Sequence, residues 1–274
     1  MAYGNLISDR AQSLAWGKLA RSVSLEKMMR RMLWSLWLLC AVPASAGEVS
    51  VAVAANVIKP MTQIAVEFER VTGHRAVLSS GATGKFYAQI RNGAPFAVFL
   101  AADATTPARL ESEGLAVPAT RFAYATGRLV LWSAQPGLVD AAGDLLRKGA
   151  ARKLAIANPR LAPYGLAAKE VLQGMGLFER WQPHFVQGEN IGQTYQFVVT
   201  GNAPLGFVAM SQVMLDGALL SGSAWVVPEH LHTPLRQEAV LLKPGADNPA
   251  ARAWLDYLRS EPARAVLRRY GYGA

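Results

Sequence analysis

Short, nearly continuous apolar runs alternate with amphipathic segments along this chain, and that alternation leaves few folds open. Val49-Ser50-Val51-Ala52-Val53-Ala54-Ala55 reads as a strand buried on both faces. Behind it Met61, Ile64, Ala65 and Phe68 recur at i, i+3, i+4 and i+7, a helical stripe that Thr72-Gly73 ends. Strands are expected next over 76–78 and 96–101, with helices over 84–91 and 106–113. A second series begins with a strand at 129–132 and continues with strands at 154–157, 206–208, 225–227 and 237–242. Helices are expected over 166–175, 193–200, 249–258 and 262–269. Such alternation predicts βαβ units on mostly parallel sheets, an α/β fold. No repeat of fixed period and no Gly/Ser- or Pro-rich linker interrupts the pattern. Two lobes joined by short crossovers near 125–127 and 232–236 fit it best.

The first 46 residues read as an address label. Lys27 to Val49 runs KMMRRMLWSLWLLCAVPASAGEV, in which Arg30 and Arg31 precede an apolar stretch from Met32 to Val42. Ala44-Ser45-Ala46 then supplies an A-x-A cleavage site, completing the layout of a secretory signal peptide with its core at about 28–46. The apolar stretch is shorter than the roughly 20 residues a membrane span needs. Cleavage after Ala46 removes Cys40, the one cysteine of the chain, and with it any disulfide or thiolate metal site. The expected location is therefore periplasmic.

Charge narrows the partners. The full chain of 274 residues carries a formal +9, but the leader holds six of its basic and two of its acidic residues, leaving +5. Without Lys/Arg blocks or interleaved aromatics, that excess argues against nucleic acid and suits attraction of an anion.

Four places share one design, a strand or loop ending in small or polar residues just before a helix. They are Ala54-Ala55-Asn56-Val57, Ser79-Ser80-Gly81-Ala82-Thr83-Gly84-Lys85, the stretch from Asn158-Pro159 to Ala162-Pro163-Tyr164-Gly165, and Gly188-Glu189-Asn190-Ile191-Gly192. Helix starts present unpaired N–H groups and the positive end of the dipole, so each can hold an anion. In a parallel sheet they gather at the carboxyl ends of the strands, two from each half of the chain. At about 1.5–3 kcal/mol per charge-assisted hydrogen bond, several such donors offset desolvation. Taken singly, a short polar residue at such a place is usually an ordinary helix cap.

These stretches resemble a known family. AANVIKPM (54–61), SSGATGKFYAQIRNGAPF (79–96), FLAAD (99–103), YATGRLVLWS (124–133), AIANPRLAPYGLAAKEVL (155–172), GENIGQTYQFV (188–198) and NAPLGFVAMS (202–211) are similar to the periplasmic molybdate-binding component of ABC importers. The resemblance runs from Glu48 to Tyr270. It implies a two-lobe periplasmic binding protein fold of type II, each lobe a mostly parallel or mixed sheet flanked by helices, with the ligand in the cleft. Lobe 1 would comprise 47–125 plus 236–274 and lobe 2 would comprise 126–235. By position, the resemblance implies that Ala55 and Asn56, Ala82 and Thr83, Tyr164 through its main-chain N–H, and Ile191 hold molybdate or tungstate without direct metal chelation. It also implies a membrane permease as partner, no cofactor and a monomer. Some family members place a tyrosine after the GFV strand where this chain has Ala209, and Asn56 is a candidate for the donor so lost.

The residues suit that ligand, because molybdate and tungstate carry no proton at neutral pH and need only donors. Phosphate, partly protonated, rewards an acceptor carboxylate, and Glu189, the one acid in the four loops, reads as a capping residue pointing away. Lys85 reads as a solvated helix residue, since Ser79 and Phe86 break any phosphate-loop motif. His230 and His232 have no third ligand nearby and read as surface residues. Sulfate binding is the nearest alternative, and a secreted enzyme on the same scaffold, which has no GxSxG or paired base to support it, is the more distant one.

Overall fold

A computed structural model of the chain describes residues 46–149 and 153–273. The expected leader lies outside the described residues except for Ala46.

Two five-stranded mixed sheets form the body. The first contains β1 (Glu48–Ala54), β2 (Arg75–Gly81), β3 (Val98–Leu100), β4 (Phe122–Gly127) and β10 (Leu235–Leu241), in the order β2-β1-β3-β10-β4. Its β2, β1 and β3 are parallel, and β10 runs antiparallel to both neighbours. The second contains β5 (Leu129–Ser133), β6 (Leu154–Ala157), β7 (Phe185–Gly188), β8 (Leu205–Ala209) and β9 (Ser223–Val226), in the order β9-β5-β8-β6-β7. There β7, β6 and β8 are parallel while β5 is antiparallel to β8 and β9. Each sheet thus has the parallel half that the buried apolar runs predict, closed on one side by antiparallel strands.

The chain leaves the first sheet at Gly127, enters the second at Leu129, and returns between Val226 and Leu235. Residues 126, 127 and 235, placed with lobe 2 from the sequence, sit in first-sheet strands because their main chain continues the β4–β10 ladder. The last described residues rejoin the first lobe, where Gly273 pairs with Thr126 beside the crossover.

Helices cover the sheets along apolar stripes. α1 (Ile58–Thr72) buries Met61, Ile64 and Phe68, and Phe68 meets Trp254 of α6 (Pro249–Leu258) edge to face at 5.1 Å. α2 (Thr83–Arg91), α3 (Thr105–Ser112) and α7 (Glu261–Arg269) complete the first lobe, and α4 (Pro163–Gly174) and α5 (Ile191–Val199) flank the second sheet. In α4 the first helical residue is Pro163 rather than Leu166 as the pattern predicts. Proline is at ease at a helix start, where its missing N–H costs nothing. Tyr164 and Gly165 therefore lie in the first turn instead of a preceding loop.

One buried charge shapes the first sheet. Glu238 on β10 is 1% exposed and pairs with Arg121 at 2.6 Å and Arg236 at 3.3 Å. Removing one partner from a buried ion pair leaves charge poorly compensated, so Arg121→Met is expected to cost on the order of 3 kcal/mol in chemical denaturation. An unchanged midpoint would contradict this role for Arg121.

Candidate functional site

The carboxyl ends of β1, β2, β3, β6 and β7 converge on one small cavity between the lobes. Ala54, Ala55, Asn56, Gly81, Ala82, Thr83 and Ala102 line it from the first lobe, and Ala162, Pro163, Tyr164, Asn190 and Ile191 from the second. Ala55, Asn56, Ala82, Thr83, Tyr164 and Ile191, the six residues singled out from the sequence, all lie on this wall. Ala209 lies outside it; the main-chain N–H of Ala209 donates to Gln212 Oε1 instead. The cavity is small and partly open.

Local structure decides which donors face it. A 3-10 turn, Ala55–Val57, opens directly from β1, and the first N–H groups of such a turn have no acceptor within it. In α4 the N–H groups of Gly165 and Leu166 both go to Ala162 O, at 2.9 and 3.1 Å, and Pro163 has none. Tyr164 is left as the donor of that turn. In α5 the cap is Asn190, whose Oδ1 accepts from Gln193 N at 3.0 Å, while its main-chain oxygen accepts from Thr194 N at 3.1 Å. That leaves the N–H groups of Ile191 and Gly192. Thr83 is 2% exposed, and its Oγ1 accepts from Ala102 N at 3.1 Å, which leaves the hydroxyl proton for the cavity.

Asn56 does not act as the sequence suggests. Its Nδ2 donates to Gln237 Oε1 at 2.8 Å and to Tyr272 Oη at 2.9 Å, so its two amide protons are spent inside the protein. What Asn56 offers the cavity is main-chain N–H. Gln237 Nε2 in turn donates to Tyr164 Oη at 3.2 Å, and Tyr124 Oη donates to Gln237 Oε1 at 2.9 Å. Gly127 makes room for these groups, because a Cβ there would overlap the Tyr164 hydroxyl. Gln237, Tyr272 and Tyr124 escaped the sequence reading. A glutamine and a glutamate inside the apolar strand LRQEAVL were the available clue for Gln237, but Tyr272 lies 216 residues from Asn56 with no spacing to mark it.

No charged side chain lines the cavity among the described residues. Tyr164 is its one titratable group, and burial holds that hydroxyl well above the usual phenol range. Lys85 and Glu189 are both exposed and off the cavity wall, as the sequence suggests, and they also form an ion pair at 2.5 Å between α2 and the loop before α5. Gly84 N donates to Leu161 O at 2.8 Å beside them, so the lobes are in contact around the cavity. Lys59 Nζ crosses from α1 to Gln212 O at 3.0 Å. His232 is buried rather than on the surface, with Nδ1 2.8 Å from Thr233 O, and no cluster of metal-ligating residues occurs among the described residues. A larger cleft, about 360 Å³, adjoins the cavity at Thr83, Ala102, Ala162 and Pro163 and carries Asp103, Arg160, Glu170 and Arg236 on its walls.

A small, uncharged cavity walled by helix starts from two lobes suits a small anion that brings no proton. Comparison with known proteins points the same way. Residues 49–273 match the model of the bacterial extracellular solute-binding proteins. The molybdate-binding protein ModA of Azotobacter vinelandii is 57% identical over 235 residues, covering 86% of this chain and 93% of that protein. ModA of Rhodobacter capsulatus is 50% identical over 232 residues, covering 85% and 90%. The solved periplasmic molybdate-binding protein of Azotobacter vinelandii superimposes with a TM-score of 0.80 at 40% identity, covering 82% of this chain and 99% of that one. The chain belongs to the bacterial extracellular solute-binding proteins and, within them, to the ModA-type molybdate-binding family.

Proposed function

We propose that this protein binds molybdate, and tungstate with it, in the periplasm and hands the anion to the membrane permease of an ABC importer. It is a solute-binding protein and not an enzyme. The observation that carries the reading is the meeting of four strand-to-helix junctions, two from each lobe, on one cavity without a charged side chain. The oxyanion replaces its water shell with N–H groups at Ala55, Asn56, Ala82 or Thr83, Tyr164 and Ile191 and with the Thr83 hydroxyl. The metal atom keeps its own four oxygens and takes no protein ligand, and the protein works without a cofactor. Cleavage at the A-x-A site releases the chain, as a monomer, into the periplasm.

The physical cost of this arrangement is desolvation of two negative charges with no cation against them. It is met by backbone dipoles that each lobe holds fixed, so that binding has only to bring the lobes together. Choice among tetrahedral anions then falls to size. A wall that holds donors on both lobes rewards the anion whose radius brings each oxygen to a donor and penalises a smaller one, such as sulfate, that leaves donors stretched.

Calorimetric titration of the processed chain should give tight binding of molybdate and tungstate and weak binding of sulfate and phosphate. Heat from sulfate alone would overturn the assignment. Thr83→Ala should weaken molybdate binding by about 1–3 kcal/mol, whereas Lys85→Ala, at an exposed ion pair, should change it by less than about 1 kcal/mol. A larger loss from Lys85 would mean that charge rather than dipoles holds the anion.

The affinity should also be flat between about pH 6.5 and 9. The ligand does not titrate there, and burial raises the Tyr164 pKa well above 10.0, so its hydroxyl keeps its proton as pH rises through that window. A loss of affinity with a midpoint inside the window would show that an ionising side chain belongs to the site.

A further inference from the structure

Behind the cavity wall, six buried polar side chains from distant parts of the chain form one hydrogen-bonded set: Asn56, Tyr124, Tyr164, Ser211, Gln237 and Tyr272. Two of them, Asn56 and Tyr164, also line the cavity, one from each lobe. Gln237 and Tyr272 do not line it, yet they join those two. Gln237 accepts from Asn56 through Oε1 and donates to Tyr164 through Nε2. Tyr272 Oη accepts from Asn56 Nδ2 at 2.9 Å and lies 2.9 Å from Asn56 O and 3.0 Å from Ser211 Oγ. Ser211, at the end of the second sheet, donates its own proton to Asn56 O at 2.7 Å. The first-lobe turn that faces the anion is therefore gripped from both lobes, through side chain and main chain alike.

Placement strengthens the point. Gln237 sits on the strand by which the chain returns to the first sheet, and Tyr272 on the final segment that pairs with Thr126 beside the other crossover. Both stand where the lobes are joined. Swinging the lobes apart would strain or break the bonds from Gln237 to Tyr164 and from Ser211 to Asn56. Each bond so lost would leave a buried donor or acceptor unsatisfied, a far larger penalty than its net value in the intact set. The set is also neutral, since burial pushes the Tyr272 hydroxyl up to about 12 and the other two tyrosines well above 10.0, so it adds no charge behind the anion.

We infer that Tyr272 and Gln237 are positioning residues for the oxyanion, holding the Asn56 turn and the Tyr164 helix start in register so that their N–H groups aim at one point when the lobes meet. This rests on the oxyanion reading above. Its signature is kinetic, because the set is complete only when the lobes are together. Loss of a member should speed ligand release and leave capture nearly unchanged.

The test uses the processed chain with Tyr272→Phe, which keeps the ring and removes the hydroxyl, and Ser133→Ala as a control. Ser133 is a buried hydroxyl of the second sheet that donates to Pro204 O at 2.6 Å, away from the cavity. Sodium molybdate is titrated by calorimetry and its release followed by stopped flow. Tyr272→Phe should weaken binding about tenfold, nearly all of it in the release rate, while Ser133→Ala lowers the melting temperature and leaves affinity unchanged. Gln237→Met should behave as Tyr272→Phe does. Wild-type affinity and release rate in a folded Tyr272→Phe would overturn the inference, and so would failure of both Tyr272→Phe and Gln237→Met to fold, which would make the set a folding element. No heat from the wild-type chain would instead sink the oxyanion reading itself.

Discussion

A doubly charged anion can leave water only if something else solvates it, and that requirement organises this protein. The cavity wall offers main-chain N–H groups at helix starts and one threonine hydroxyl, with no charged side chain among the described residues. Such donors are weak singly and cannot be steered by side-chain rotation. They must be aimed by the backbone, so the fold has to supply several helix starts within a few ångströms of one another. A parallel half-sheet does this at its carboxyl edge, and two such edges facing one another double the number. The mixed topology of both sheets, with β1 beside β2 and β3 and β6 beside β7, follows that need.

Neutrality has a second consequence. A site built on lysine or arginine would attract any anion and hold it through long-range charge. One built on fixed dipoles is short-ranged and responds to size and proton content. The contacts across the cleft include an exposed ion pair at Lys85 and Glu189 and a buried neutral set around Asn56. The exposed pair is screened by salt and worth little, whereas the buried set loses much if disturbed.

Much of the fold was legible because buried strands and helix stripes leave strong local periodicity. The strand Leu154–Ala157 and the helix Pro249–Leu258 fall where the pattern puts them. The start of α4 was misplaced by three residues because Pro163 and Tyr164 read as a turn until the helix beyond them is seen to begin at the proline. The wall of the cavity was legible for the same local reason, since helix caps and small residues mark junctions. What supports the wall was not. Gln237 and Tyr272 reach Asn56 across 181 and 216 residues, and long-range hydrogen bonds leave no periodic trace. Lys85 and Glu189 were assigned separately for the same reason, as neither residue's neighbours in sequence announce its partner across the cleft.

The most direct test of the account is a crystal structure of the processed chain grown with molybdate. Molybdenum is expected in the cavity between Asn56, Thr83, Tyr164 and Ile191. Its oxygens would lie about 3 Å from main-chain nitrogens of both lobes and from the Thr83 hydroxyl, with no charged side chain in contact. Density for the anion in the adjoining cleft against Arg160 or Arg236, or a protein atom bonded to molybdenum, would contradict it.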